Sequence, residues 1–211
     1  MAKKGLLKIE YTVTLVIMFV MTILIVPFDL ESTVQANFIS RWIDKLSRLE
    51  YMYEVIDAQE HDEILMSFKR ASNVKEREEI LINLIQPYFR LSRTRLSKRY
   101  RPRFMNNEKI PKTDRYYFED WYVTENGMIV GIKDIDSEDP KAPKFRIMMD
   151  INGKLPPNKW GKDIYGVNIF ETGLEPFGSN LSMEKLKDDC SKTGTGVGCS
   201  YYYKIGGSFD D

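Results

Sequence analysis

Near the N-terminus the chain reads Lys3-Lys4-Gly5-Leu6-Leu7-Lys8-Ile9-Glu10, continues as an apolar run over residues 11–26, and reaches Pro27 directly afterwards. This stretch decides how the rest of the sequence is interpreted. An ionised carboxylate such as Glu10 at the head of an apolar helix is costly to bury unless it is paired or protonated. The basic residues before the run favour the cytoplasmic side of a membrane, so we expect the rest of the chain to be exported.

The spacing of three residues carries a resemblance to a known family. Glu10 is the fifth residue after Gly5, and Pro27 is the twenty-second. In this respect the N-terminus resembles those of type IV pilins and type II secretion pseudopilins. The resemblance implies cleavage by prepilin peptidase after Gly5, methylation of Leu6, and assembly roles for Glu10 and Pro27. The implied partners are that peptidase, other pilin or pseudopilin subunits, and the bacterial inner membrane.

Two other interpretations of the N-terminus remain open. A secretory signal peptide would be cleaved at small residues, and Val34-Gln35-Ala36 is the available site, although it lies well past the apolar run. A generic single-pass anchor would also explain the apolar run. In that case the protein would be a membrane-anchored extracytoplasmic binding protein that forms no filament.

The predicted fold is α+β. A long N-terminal transmembrane and amphipathic helix serves as a pilin-like spine, and it carries a small head of helices with an antiparallel sheet. The predicted segments are a leader peptide (1–5), a transmembrane or filament-core helix (6–28), its amphipathic continuation (29–58), a helical insertion with a basic run (59–110), and an antiparallel β head with a C-terminal disulfide loop (111–211). The predicted location is the inner membrane in a single pass, with the N-terminus cytoplasmic and the head extracytoplasmic, or a pilus or pseudopilus.

Within the head, aromatic and β-branched residues alternate in runs that predict strands. The predicted strands cover residues 115–124, 128–132, 145–150, 164–170 and 201–204. Glu125-Asn126-Gly127 is a hairpin turn signal between the first two. A short helix is expected over residues 182–189.

A loop rich in oxygen-bearing side chains follows the third predicted strand. It begins Asp150-Ile151-Asn152-Gly153 and extends through Asn158 to Asp163. Asp and Asn at alternating positions before a glycine can present several oxygens to a hard cation such as Ca²⁺. The same residues can instead cap their own turns in a purely structural loop. The segment is similar to one in the heads of some prepilin-like proteins. Calcium-stabilised loops are known in major pseudopilins, so that likeness makes calcium the expected cofactor if the loop binds a metal, while the structural loop stays the favoured interpretation.

The chain contains two cysteines, Cys190 and Cys199. In an exported domain an even count predicts one disulfide, and many type IV pilins close a C-terminal loop in this way. Two free thiols or a metal-binding pair are the alternatives.

Other chemistry has little support in the sequence. The net charge is zero and His61 is the single histidine, in a charged stretch. No nucleophile elbow or nucleotide-binding fingerprint is present, so we expect a structural protein and not an enzyme. A basic run over residues 90–103 is interpreted as a solvated face, with an acidic protein neighbour or DNA phosphates as alternatives; nucleic acid is the least favoured partner.

Overall fold

The structure is a computed structural model, and it describes the backbone of residues 2–71, 73–92, 100–135, 137, 139 and 141–208. Within α1, the side chains of residues 2–8, 24–32 and 59–69 are not described. The chain divides into two compact units, Met1–Asn37 and Phe38–Asp211. The sheet and the core described below belong to the second unit.

Four α-helices are present in the described part of the chain. They are α1 (Ala2–Arg70), α2 (Val74–Phe89), α3 (Met183–Asp189) and α4 (Cys199–Lys204). Asn73 caps α2, because its side chain accepts a hydrogen bond from the backbone N–H of Glu76 at 3.0 Å. α2 ends at Arg90, which adopts the left-handed conformation (φ 47°) common after helices.

The predicted transmembrane, pilin-like spine is wrong. Among the helices that the structure describes, none is long and apolar enough to cross a membrane. The sequence gives a physical reason. Glu10 and Asp29 limit the uncharged run to residues 11–28, and Pro27 lies within it, whereas about 20 apolar residues are usual for a span.

The fold is α+β with a six-stranded antiparallel sheet in the order β1-β2-β3-β4-β5-β6. The strands are β1 (Leu91–Ser92), β2 (Trp121–Thr124), β3 (Ile129–Asp134), β4 (Phe145–Asp150), β5 (Ile164–Phe170) and β6 (Gly173–Pro176). Each strand pairs with its neighbour in sequence, so the sheet is a meander. The predicted hairpin turn joins β2 to β3, where Gly127 has the positive φ (83°) that such turns need.

One hydrophobic cluster packs helices against the sheet. Trp42, Leu46 and Leu49 of α1 are buried in it together with residues of α2 and α4. Trp42 stacks on Tyr165 of β5 with ring centroids 5.1 Å apart, and its indole N–H donates to the carbonyl of Ser200 at 2.9 Å. These contacts join α1, β5 and α4 in one core.

A second cluster contains residues of the sheet and of the long segment between β1 and β2. Its buried members are Phe104, Phe118, Trp121, Ile129, Met148, Trp160, Ile164, Phe177 and Val197. Adjacent residues of one strand fall in different clusters, as Ile147 and Met148 do. Since successive side chains of a strand point to opposite faces, the two clusters cover the two faces of the sheet.

Candidate cation site and the exposed helix segment

The register of β4 and β5 brings the predicted oxygen ligands together. Asp150 is the last residue of β4, and it pairs with Ile164, the first residue of β5. Asp163 immediately precedes Ile164, and its carbonyl accepts the backbone N–H of Ile151 at 2.9 Å. The loop between the two strands therefore begins and ends with neighbouring carboxylates.

The loop conformation depends on three residues with positive φ. Gly153 and Gly161 have φ values of 75° and 74°, and Asn158 has φ 51°. A Cβ at Gly153 would lie 2.2 Å from the carbonyl oxygen of Gly127, so only glycine fits against the β2–β3 turn. Asparagine is one of the few other residues that tolerates the left-handed region. The sequence thus dictates the turns that place the carboxylates.

Each carboxylate is fully buried and already has hydrogen-bond donors. Asp163 accepts the backbone N–H groups of Asn158 (2.8 Å) and Lys159 (2.7 Å). Asp150 accepts the phenol of Tyr100 at 2.6 Å and the backbone N–H of Asn152 at 3.3 Å. A carboxylate has about four lone-pair sites, so both groups retain acceptor capacity.

The two carboxylates disfavour each other's charge. Burial, and then the charge of Asp163, raise the pKa of Asp150 from 3.8 to about 8. Burial also raises the pKa of Asp163, to about 6, although hydrogen bonds from Lys159 and Asn158 oppose the shift. The pKa of Tyr100 is raised well above its ordinary value by burial and by the charge of Asp150, so the phenol remains a donor. A divalent cation would relieve this repulsion.

Two amide oxygens in the same loop have no hydrogen-bond partner among the described residues. They are Oδ1 of Asn152 and Oδ1 of Asn158, and both atoms are buried. The amide nitrogen of Asn152 is engaged, since it donates to the carbonyl of Pro156 at 3.1 Å. A buried oxygen without a donor is costly, and a bound cation is one of the few groups that satisfies it.

The donor set fits a hard cation better than a transition metal. Two carboxylates and two amide oxygens, completed by backbone carbonyls or water, are the ligands that Ca²⁺ takes. Within the described residues there is no group of three or more His, Cys, Asp or Glu that could hold a metal ion. A site built from Asp150, Asn152, Asn158 and Asp163 has only two such residues, so its remaining ligands must be neutral oxygens.

The C-terminal loop packs directly beside this site. A disulfide joins Cys190 to Cys199. The loop between them is organised by Asp189, whose carboxylate accepts the backbone N–H groups of Thr195 (3.0 Å) and Gly198 (2.7 Å). A Cβ at Gly196 would lie 2.4 Å from the carbonyl oxygen of Trp160, which belongs to the candidate site's loop.

Two residues that matter here were not recognised from the sequence. Asp189 is the last residue of the helix expected over 182–189, and Tyr100 falls within the basic run over residues 90–103. The partners of Asp189 lie six and nine residues away, and the Gly-Thr-Gly pattern after the first cysteine was the available signal. Tyr100 lies 50 residues before Asp150, and no local pattern indicates that contact.

The predicted processing and assembly residues lie in the first unit. Gly5, Leu6 and Pro27 fall within the bounds of α1, but their side chains lie outside the described part. Glu10 is exposed, and its carbonyl accepts the hydroxyl of Thr14 at 2.8 Å.

The segment around Glu10 exposes many large apolar side chains within this chain. Between 48% and 74% of the surface is exposed for each of Ile9, Tyr11, Val13, Leu15, Val16, Ile17, Met18, Phe19, Val20, Met21 and Ile23. These positions occupy all sides of the helix and not one stripe. A helix that is apolar all round is ordinarily buried in some larger assembly.

Comparison with known proteins gives no relative for this chain. No family model matches it, and neither a curated protein nor a solved structure matches it.

Proposed function

We propose that the protein is a structural subunit of the type IV pilin or type II secretion pseudopilin class, a minor pilin or pseudopilin, which assembles through the N-terminal part of α1. The observation that carries the proposal is the exposed apolar segment from Ile9 to Ile23 with the lone carboxylate of Glu10 at its head. Helices of neighbouring subunits would cover that segment. Its role is assembly and not catalysis.

Processing and pairing follow from the N-terminal spacing. Prepilin peptidase cleaves after Gly5 and leaves Leu6 with a free amine, which is then methylated. Glu10 pairs with the N-terminal amine of a neighbouring subunit. Because a charge in apolar surroundings gains most from a partner, this pair selects the register of adjacent helices. Pro27 lacks a backbone N–H, which weakens α1 at that point in the assembly.

The head belongs outside the cytoplasm in this proposal. The Cys190–Cys199 disulfide supports that location, since disulfides persist in oxidising compartments. Calcium at Asp150, Asn152, Asn158 and Asp163 holds the β4–β5 loop in place. The raised pKa values of the two carboxyls and the two buried amide oxygens without partners support this cofactor.

Replacement of Glu10 tests the assembly role. Glu10→Ala should lower the amount of subunit in sheared filaments or pseudopili at least about tenfold, since removing one partner of a buried ion pair is strongly destabilising. Immunoblotting of the sheared fraction against total cell protein gives the ratio. Glu10→Gln, which keeps the shape without the charge, should also fail. Glu54→Ala, at an exposed position farther along α1, is the matched control. Normal incorporation of Glu10→Ala would refute the proposal.

A further inference from the structure

A cavity of about 760 Å³ opens beside the second hydrophobic cluster, a volume in the range of small-ligand pockets. Its walls come from the segment between β1 and β2, together with Trp121 at the start of β2. Phe118 and Trp121 are buried there, and Tyr100 meets Trp121 edge-on with centroids 5.0 Å apart. The floor of the cavity is therefore aromatic.

The rim of the cavity is basic. Arg101, Arg103, Lys109 and Lys112 line it and are exposed, whereas Glu119 is the single acid among the lining residues. None of the four cations forms an ion pair with another described residue; the guanidinium of Arg103 donates to the backbone carbonyl of Asn107, at 2.8 Å. An excess of unpaired cations around an aromatic floor suits an anionic ligand that also carries a flat apolar group.

The walls are held in place without a ligand. The backbone of Arg103 forms two hydrogen bonds with the β4–β5 loop. Its N–H donates to the carbonyl of Asn158 (3.0 Å), and its carbonyl accepts the N–H of Trp160 (3.0 Å). The lining residue Tyr117 is held by the ammonium of Lys133, which donates to its carbonyl (3.1 Å) and to that of Asp114 (3.3 Å). A pre-formed cavity loses little freedom on binding, which favours affinity.

The chain itself contains a segment of the complementary chemistry. Phe209-Asp210-Asp211 combines one aromatic residue with two adjacent acids, and it follows Ser208, the last described residue. The acidic loop around Asp139 has no aromatic residue beside it. Phe28-Asp29-Leu30-Glu31 has both kinds of residue but lies within α1, and a helix about 10 Å wide is poorly suited to such a cavity.

We infer that the cavity receives residues 209–211 of a second copy of the chain, with Phe209 on the aromatic floor and the two carboxylates among the cations of the rim. This contact between the heads of two copies rests on the proposed function, because it requires neighbouring heads in an assembly. It adds a second contact between subunits, separate from the helix contact. Heads would then be linked in a directional, heterologous manner, as a filament requires.

Photocrosslinking tests the contact directly. A benzoyl-phenylalanine at position 209 is placed in isotopically heavy full-length protein, mixed with light protein and irradiated. The expected product joins position 209 of one copy to the segment 100–121 of the other. Cross-links only within one chain, or none between copies, would overturn the inference.

Charge reversal on either side of the contact tests whether the cross-link depends on opposite charges. Arg101→Glu/Lys112→Glu and Asp210→Lys/Asp211→Lys should each reduce the intermolecular cross-link about tenfold, as expected for two exposed charge pairs turned from attraction to repulsion. Mixing the two variants should restore the cross-link, because each then meets a complementary partner. Lys154→Glu/Lys185→Glu, at exposed positions outside the cavity, is the control and should have no effect. Failure of the mixture to recover would contradict docking between copies.

The same cross-link separates this inference from the proposed function. If Glu10→Ala abolishes assembly but the cross-link still forms at high protein concentration, the head contact stands without the helix contact. If filaments assemble normally and no intermolecular cross-link forms, the head contact is wrong and the helix contact stands.

Discussion

The positions of Asp150 and Asp163 in the fold give their carboxyl groups raised pKa values. Each is fully buried, and each is the close neighbour of another acid. Backbone N–H groups and the Tyr100 phenol stabilise their charges only in part, since both pKa values stay above 3.8. The loop's arrangement is accordingly better suited to a bound cation than to two bare carboxylates.

Removing one carboxylate should weaken calcium binding. We expect Asp163→Asn and Asp150→Asn each to lower calcium affinity at least about tenfold, because ligand charge sets the affinity of oxygen sites. Calorimetric titration of chelator-treated protein measures this. Asp188→Asn, at an exposed position on α3, is the control and should bind as the unmodified protein does. Calcium affinity that is equal in all variants, or absent throughout, would contradict the site.

Calcium-free protein should become less stable as pH rises. The pKa values of Asp163 and Asp150 are raised in the folded state to about 6 and about 8, from 3.8 when unfolded. The folded state therefore binds more protons between pH 4 and 8, and the free energy of unfolding falls as pH increases through that range. Urea unfolding in chelator at pH 5 and pH 8.5 measures the difference. A free energy of unfolding that rises or stays level over this range would contradict the account, and Asp150→Asn should reduce the dependence.

At the scale of the element, α1 contributes its central part to the head's core. Trp42 is fully buried, stacks on Tyr165 and bonds to the carbonyl of Ser200, so one side chain connects α1, β5 and α4. Tyr51 lies on the same helix but exposes 63% of its surface. Substitutions at these two positions therefore distinguish the loss of core packing from a change in helix propensity.

Truncation of Trp42 should be strongly destabilising. Trp42→Ala is expected to lower the free energy of unfolding by about 3–5 kcal/mol, from lost apolar burial and the cavity left behind. Tyr51→Ala should change it by less than about 0.5 kcal/mol. Chemical denaturation monitored by circular dichroism measures both. Equal effects of the two substitutions would show that α1 does not pack as described.

Loss of the disulfide should destabilise the C-terminal loop. We expect Cys190→Ala/Cys199→Ala to lower the free energy of unfolding by roughly 2–3 kcal/mol, because the cross-link restricts a short loop in the unfolded chain. Lys192→Ala, an exposed residue within the same loop, is the control. If stability were unchanged by the double substitution, the loop would be held by Asp189 alone.

The strands of the head could be predicted from sequence where local chemistry decides them. Glu125-Asn126-Gly127 indicated the β2–β3 turn, and alternating residues indicated β4 and β5. Residues 201–204 were predicted as a strand but lie in α4. There the fold overrides aromatic β-propensity, because Tyr202 and Tyr203 are buried in the core on a helical turn. β6 was not predicted, since Gly173 and Pro176 give a weak strand signal.

For the candidate site, the sequence was informative about the ligands but not about their surroundings. Asp150, Asn152, Asn158 and Asp163 fall within one loop, so spacing alone suggested them. Their burial and the Tyr100 contact depend on a segment that is distant in sequence, and no periodic pattern encodes such a contact. The transmembrane helix predicted over residues 6–28 was wrong, since none of the described helices is long and apolar enough to cross a membrane.

At the scale of the whole molecule, the two units have different surfaces. The second unit has a core on both faces of its sheet, whereas the first exposes the apolar segment from Ile9 to Ile23. When one part of a protein has a buried core and another exposes a large apolar surface, that surface is expected to be buried in an assembly. The N-terminal spacing of Gly5, Glu10 and Pro27 indicates the class of assembly that we propose, that of type IV pilins and pseudopilins.

The most direct test of that central claim is the intact mass and N-terminal sequence of the protein isolated from cells with and without an active prepilin peptidase. Processing after Gly5 predicts a chain that begins at Leu6, with or without one methyl group, only when the peptidase is active. A chain that still begins near Met1 in the presence of active peptidase would contradict it, and the spacing of Gly5, Glu10 and Pro27 would then be coincidental.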